Sequence, residues 1–160
     1  MNCPDCKSDI AKEDIFCPGC DSRLYSPKDF LDMKEFSPLD SILKWIDTYR
    51  SGNYTLGQFQ TRVSWLIEAV RLQKEQFESA AASPRAPESA KQIIQSFVQI
   101  LGLMVEALEK TDQHLREGQD DLLKNSLVTI HEVHNKLHDL KDTMIESFPK
   151  EELLSRELKP

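Results

Sequence analysis

All four cysteines of the chain lie in its first twenty residues, as two copies of the pattern Cys-Pro-x-Cys. A C-x-x-C turn places two sulfurs on one side of a tight knuckle, whose backbone amides can donate hydrogen bonds to thiolates. Two facing knuckles offer four thiolates in the tetrahedral arrangement that Zn²⁺ adopts, with Zn–S distances of about 2.3 Å. The spacing therefore predicts one closed, structural zinc site with the ligands Cys3, Cys6, Cys17 and Cys20.

Other uses of the four cysteines fit the sequence less well. Disulfides are uncommon in cytosolic proteins, and a thioredoxin-like redox site needs a βαβ unit that the sequence does not show. A catalytic zinc needs an open coordination position, which four cysteine ligands would fill. Since twenty-five residues cannot bury a sufficient core, we expect the metal to supply the folding energy of this segment.

The stretch between the knuckles, KSDIAKEDIF, has the length of a short strand, a turn and a return strand. Ile10, Ile15 and Phe16 could then cover the apolar side of the metal site. We therefore expect a small β-hairpin within residues 1–25.

With these residues in place, the segment resembles the very short zinc-ribbon modules found at the N-termini of many bacterial and archaeal proteins. The resemblance covers about residues 3–24, and the family pattern runs C-P-x-C-G, a short spacer, then F-C-P-x-C-G. It implies that Pro4 and Pro18 are the knuckle prolines, that Phe16 is the aromatic before the third ligand, and that Ala11 is the small residue of the central turn.

The sequence departs from this family at two positions. The family usually has glycine after each second cysteine, where φ tends to be positive. Lys7 and Asp21 occupy those places here, and aspartate tolerates such a conformation better than lysine does. The departure would weaken the first knuckle slightly but removes no ligand.

Three of the four histidines fall in the stretch HEVHNKLH, as His131, His134 and His138. Spacings of three and four residues place them on one helical face, which makes them a candidate secondary metal or proton-sensing face. However, HEVH is one residue short of the H-E-x-x-H protease pattern, and the chain has no Glu-x-x-His pair of the di-iron bundles. Solvated histidines at a bundle edge are the simpler interpretation.

The residues that follow the cysteines are predicted to be helical. We divide the chain into a zinc ribbon at 1–25, a charged connector at 26–36 and a helical domain at 37–160. Helices are predicted at about 38–51, 55–79, 88–117 and 121–147, and KEELLSREL could add a short tail helix.

Capping residues and apolar stripes support these helices. Ser37, Pro38 and Asp40 suit the start of the first, and Thr55 with Gln58 fits a capping box at the start of the second. Apolar residues then recur at spacings of three and four, as on a buried helix face or a coiled-coil seam. The fold class is therefore mainly α: a zinc ribbon followed by a four-helix bundle or two packed helical hairpins. Self-association would bury the apolar helix faces equally well.

Charge and hydropathy limit the partners of the protein. The formal net charge is −7, of which residues 1–36 carry −3 and residues 37–160 carry −4. Neither part has a basic block, so binding to phosphate backbones should be weak. The most apolar stretch, residues 97–108, is too short for a bilayer span, and no secretory signal is visible. We expect a cytoplasmic protein.

Three functions remain open at this point. The first is a non-enzymatic adaptor or scaffold, with a protein partner or self-association through the helices. The second is a nucleic-acid-associated regulator, which the acidic charge disfavours. The third is an enzyme or a thiol- or zinc-based sensor, although no phosphate loop, G-x-G-x-x-G or G-x-S-x-G pattern is present. Trp45 and Trp65 are expected to be packing residues, since no basic residues surround them densely.

Overall fold

A computed structural model describes residues 1–12, 14–31, 38–84 and 88–147. Within these ranges the cysteine segment is followed by five helices: α1 (Pro27–Leu31), α2 (Pro38–Arg50), α3 (Leu56–Ala81), α4 (Glu88–Arg116) and α5 (Asp120–Ser147). The predicted N-cap Ser37 and the predicted tail helix lie outside the described residues.

The helices begin and end where local chemistry favours it. Thr55 caps α3 with a complete capping box: its side chain accepts from the Gln58 amide at 3.2 Å, and its own amide donates to Gln58 Oε1 at 2.8 Å. Gly52 (φ +77°) follows α2 and Gly118 (φ +66°) follows α4, and both occupy the left-handed region that closes helix C-termini.

The four longer helices pack as a bundle. Short connections make α3 and α4, and then α4 and α5, antiparallel neighbours, while α2 packs against both α3 and α5. Between α3 and α4, the rings of Phe77 and Phe97 stack with centroids 5.2 Å apart, and Arg71 pairs with Glu109 at the surface.

The fully buried core lies at one end of this bundle, which we call the knuckle end because the cysteine segment packs there. On α3 the core occupies residues 59–70, on α4 residues 101–115 and on α5 residues 123–133. The short helix α2 adds Leu39, Ile42, Trp45 and Ile46 to it.

The opposite end, which we call the far end, extends beyond the reach of the short helix α2. Many of the apolar side chains there are only half-buried, in contrast to those at the knuckle end. They are Phe77 on α3, Ile93, Ile94, Phe97, Val98 and Ile100 on α4, and Leu137 and Leu140 on α5.

Two features of the first thirty-one residues differ from expectation. The described residues there contain no strand, only isolated antiparallel bridges between Asn2 and Asp9 and between Phe16 and Arg23. Each bridge lies within one knuckle, so the expected hairpin between the knuckles is not present among the described residues. The predicted connector contains the short helix α1, whose first turn is held by Ser26, which accepts from the Asp29 amide at 3.2 Å.

None of the helices in the described part of the chain combines the length and the apolarity that crossing a lipid bilayer would require.

Candidate metal centre

The two knuckles share one backbone arrangement. In the first, the Cys3 amide donates to the Ser8 carbonyl at 2.9 Å, and the Lys7 amide donates to the Cys3 carbonyl at 3.1 Å. In the second, the Cys17 amide donates to Ser22 and the Asp21 amide to Cys17, both at 2.9 Å. Each position of the first knuckle therefore corresponds to the position of the second knuckle that lies fourteen residues later. The segment is an internal repeat, and its two halves present their sulfurs to each other.

The two positions that depart from the family pattern adopt the backbone conformation that the pattern implies. Lys7 has a φ of +65° and Asp21 a φ of +61°, and they are the only non-glycine residues with positive φ in the described ranges. Such a conformation brings the Cβ close to the backbone, which is why glycine is usual there. The chain keeps the knuckle geometry without that glycine.

The four sulfurs converge on one point. Cys6 Sγ lies 3.5 Å from Cys17 Sγ, Cys3 Sγ lies 3.8 Å from Cys20 Sγ, and all four lie within 4.8 Å of one another. A tetrahedral zinc with bonds of about 2.3 Å requires its sulfurs to be about 3.8 Å apart. The four cysteines are therefore positioned to bind a metal ion. Among the described residues, no other group of three or more histidine, cysteine or acidic side chains converges in this way.

Two serine hydroxyls surround the sulfurs, at equivalent positions of the repeat. Ser8 Oγ lies 3.2 Å from Cys6 Sγ, and Ser22 Oγ lies 3.2 Å from Cys20 Sγ and 3.6 Å from Cys3 Sγ. Hydrogen bonds of this kind orient thiolate ligands and tune the metal they hold. These serines were not recognised from the sequence, although the repeated order Cys-x-Ser after each knuckle was a visible signal.

Glycine is required at one position of the second knuckle. A Cβ on Gly19 would lie 2.3 Å from Ser8 Oγ and 2.9 Å from Ser8 Cβ. The Gly19 amide also donates to Cys17 Sγ at 3.3 Å. The equivalent residue of the first knuckle is the exposed Asp5. The close approach of the knuckles thus depends on glycine on one side only.

The surroundings of the sulfurs give them different acidities in the metal-free protein. Hydrogen bonds from the Cys6 amide and the Ser22 hydroxyl lower the pKa of Cys3 to about 6. Hydrogen bonding with Ser8 lowers the pKa of Cys6. Burial raises the pKa of Cys17 to about 12. Cys17 must therefore give up a proton to bind metal at neutral pH, whereas Cys3 is already largely ionised.

The cysteine segment is packed onto the helices through Phe16. The Phe16 ring meets Trp45 of α2 edge-on at a centroid distance of 6.1 Å, and Trp65 of α3 edge-on at 6.4 Å. Trp65 Nε1 also donates to the Tyr25 carbonyl at 3.0 Å. Both tryptophans are buried and pack against other side chains, as the sequence predicted. The residue next to the third sulfur therefore joins the core of the bundle.

A buried arginine forms a second link between the second knuckle and α3. Arg62 is 2% exposed and pairs with Asp21, the positive-φ residue of that knuckle. Its guanidinium lies over the Phe16 ring at 4.5 Å and over the Tyr54 ring at 4.0 Å. One signal of this role was visible in the sequence but not recognised: a single arginine stands within an otherwise apolar stripe of α3.

The three clustered histidines lie on α5, away from the cysteines in sequence. His131 and His138 are exposed and His134 is half-buried, and His138 Nδ1 lies 3.1 Å from Asp142 Oδ2. The fourth histidine, His114 on α4, contacts Ser126 Oγ through Nδ1 at 2.9 Å. The secondary metal face at His131, His134 and His138 stays a prediction.

Comparisons with protein-family models, with curated proteins and with solved structures find no match to this chain.

Proposed function

We propose that this protein binds one structural Zn²⁺ through its four cysteines and acts as a non-enzymatic interaction or scaffold protein. The observation that carries the proposal is the convergence of four sulfurs at separations close to those of a tetrahedral zinc–thiolate site. Thiolate ligands select zinc over the harder cations Mg²⁺ and Ca²⁺, and four of them leave no position for water or substrate.

In this proposal the metal supplies the stability that the cysteine segment lacks. Among the described residues 1–12 and 14–25, only Cys3, Ile15, Phe16 and Cys17 are buried. A segment with so small a core does not hold a defined fold alone, and structural zinc sites provide folding free energy directly. Zinc would fix the two knuckles to each other, while Phe16 and Asp21 fix them to α2 and α3.

The proposed association surface is the far end of the bundle. Within the part of the chain that the structure describes, no short helix like α2 covers its half-buried apolar side chains on α3, α4 and α5, and burying them in a partner or in a second copy of the chain would be favourable. The net charge of −7 disfavours nucleic acid as that partner, because the repulsion of phosphates would have to be overcome.

Sedimentation of the full chain, combined with affinity capture from cell extract, tests the association. We expect either self-association or specific capture of a protein, and Ile94→Glu should weaken it because the variant places a charge among the half-buried apolar groups. Gln95→Glu adds the same charge on the exposed neighbouring residue and should have no effect. A monomer at all concentrations that captures no specific partner would contradict the scaffold function.

A further inference from the structure

We propose that the exposed cysteines Cys6 and Cys20 are sites of reversible oxidation by hydroperoxides. Each would then form a disulfide with the buried sulfur that it contacts in the other knuckle, giving Cys6–Cys17 and Cys3–Cys20 and releasing the metal. This inference rests on the proposed metal site and adds a modification chemistry to it.

Access divides the four sulfurs into two classes. Cys6 and Cys20 are exposed, whereas Cys3 is 0% exposed and Cys17 is 1% exposed. A small hydroperoxide in solution therefore meets one cysteine of each knuckle first. Oxidation of cysteine follows exposure and thiolate character, and binding to zinc keeps all four sulfurs as thiolates.

Once an oxidised sulfur no longer binds zinc, its resolving partner is the sulfur that lies nearest to it in the metal-free arrangement. The short contacts are those between Cys6 and Cys17 at 3.5 Å and between Cys3 and Cys20 at 3.8 Å. Each contact crosses from one knuckle to the other and joins an exposed sulfur to a buried one. Sulfurs at these separations need to approach by less than about 2 Å to bond. The two bonds use four different sulfurs, so both can form in the same molecule.

The chemistry balances with hydrogen peroxide as the oxidant. The exposed thiolate attacks one peroxide oxygen, the O–O bond breaks, and a sulfenic acid forms while the other oxygen leaves as water after taking a proton. The buried thiolate then attacks the sulfenic sulfur, forms the S–S bond and displaces hydroxide, which a second proton converts to water. Each disulfide thus consumes one peroxide and two protons, and gives two waters. Zn²⁺ is not redox-active and leaves because its thiolate ligands are lost.

The full chain, reduced and loaded with zinc, provides the test. Zinc content is measured first, so that failure to load contradicts the metal proposal separately from the oxidation. Hydrogen peroxide is then added, zinc release is followed with a chromogenic chelator, and the chain is digested with trypsin without reduction. Cleavage after Lys7, Lys12 and Arg23 separates peptide 1–7 from peptide 13–23, each with two cysteines.

We expect zinc release together with a disulfide-linked pair of peptides 1–7 and 13–23, which a dithiol reductant separates again. Two unlinked peptides, each with an internal disulfide, would overturn the proposed connectivity. Intermolecular disulfides, or sulfinic acids formed without disulfides, would overturn the proposed chemistry.

Two single serine variants of the zinc-loaded chain distinguish the remaining pairings. In Cys6→Ser, peroxide should join Cys3 to Cys20 and leave Cys17 as the free thiol. In Cys20→Ser, it should join Cys6 to Cys17 and leave Cys3 free. Alkylation of the free thiol before digestion identifies it by mass spectrometry. A free Cys20 in the first variant, or a free Cys6 in the second, would contradict the assignment of Cys6 and Cys20 as the first sites of attack.

Discussion

At the scale of single residues, the first knuckle has a lysine at a position where glycine is usual. Lys7 holds a φ of +65° at a position where glycine would be unstrained. A non-glycine residue in the left-handed region costs roughly 1–2 kcal/mol. The Lys7 side chain offsets part of this free-energy cost through an exposed hydrogen bond from Nζ to the Pro4 carbonyl at 2.9 Å.

Lys7→Gly should therefore stabilise the zinc-loaded protein by up to about 1 kcal/mol, since strain is relieved and only an exposed hydrogen bond is lost. Urea denaturation monitored by tryptophan fluorescence measures the change. The matched control is Lys12→Gly, which replaces an exposed lysine without positive φ and should give no gain. Equal effects of the two substitutions would show that strain at Lys7 is not the cause.

Gly19→Ala should weaken zinc binding by about tenfold or more, because the new methyl group would displace Ser8 from its place beside Cys6. Competition with a chelator of known affinity measures the effect. Asp5→Ala, at the equivalent position of the first knuckle, is the control and should leave the affinity within about twofold. An unchanged affinity in Gly19→Ala would mean that the knuckles do not pack as closely as described.

The four converging cysteines were readable from the sequence, while most of the residues that surround them were not. Two C-x-x-C pairs at short separation leave little choice of chemistry, so Cys3, Cys6, Cys17 and Cys20 follow from spacing alone. Ser22 contacts Cys3 across the knuckles, and Arg62 pairs with a residue forty-one positions away. Such contacts depend on tertiary packing, which a local pattern does not encode.

At the scale of elements, the chain was predictable where signals are local. The capping box of Thr55 and Gln58 is confirmed because both partners lie within one turn. The short β-hairpin was expected from spacer length alone, and length does not specify pairing. In the structure, the Ala11 amide donates to Asp14 Oδ2 at 2.8 Å, at the place where the central turn was expected, but no strands pair on either side of it among the described residues.

Phe16 is the main apolar contact between the cysteine segment and the helices. Phe16→Ala should destabilise the protein by about 3–5 kcal/mol, because it removes a buried ring that contacts two tryptophans. These are the only tryptophans of the chain, so their emission should shift to the red. The fluorescence spectrum and a denaturation curve measure both effects.

Phe97→Ala is the control for this substitution, because it removes a half-buried ring that stacks on Phe77 at the far end. It should destabilise the protein less and leave tryptophan emission and zinc affinity unchanged. Unaltered tryptophan emission in Phe16→Ala would refute the docking of the cysteine segment on α2 and α3.

At the scale of the whole molecule, metal binding should couple to pH through the thiols. Zinc binds thiolates, so protons compete with it and the affinity falls as the pH falls. Above pH 6, Cys3 is already ionised in the metal-free protein, because its pKa is about 6, whereas Cys17, with a pKa of about 12, must release a proton. Below pH 6, Cys3 must release one as well.

A plot of the logarithm of zinc affinity against pH should therefore become steeper by one proton as the pH falls through about 6. Chelator competition at a series of pH values measures the slope. Ser22→Ala removes one of the hydrogen bonds that lower the pKa of Cys3 and should move the change of slope to higher pH. A constant slope, or no movement in this variant, would contradict the assignment.

We propose that four cysteines of one chain hold a single zinc ion. X-ray absorption at the zinc edge of the loaded full chain measures this, because the method reports the type, number and distance of the ligand atoms. We expect four sulfurs at about 2.3 Å and no nitrogen or oxygen in the first coordination sphere. Nitrogen ligands from histidine, fewer than four sulfurs, or failure of the chain to take up zinc would contradict it.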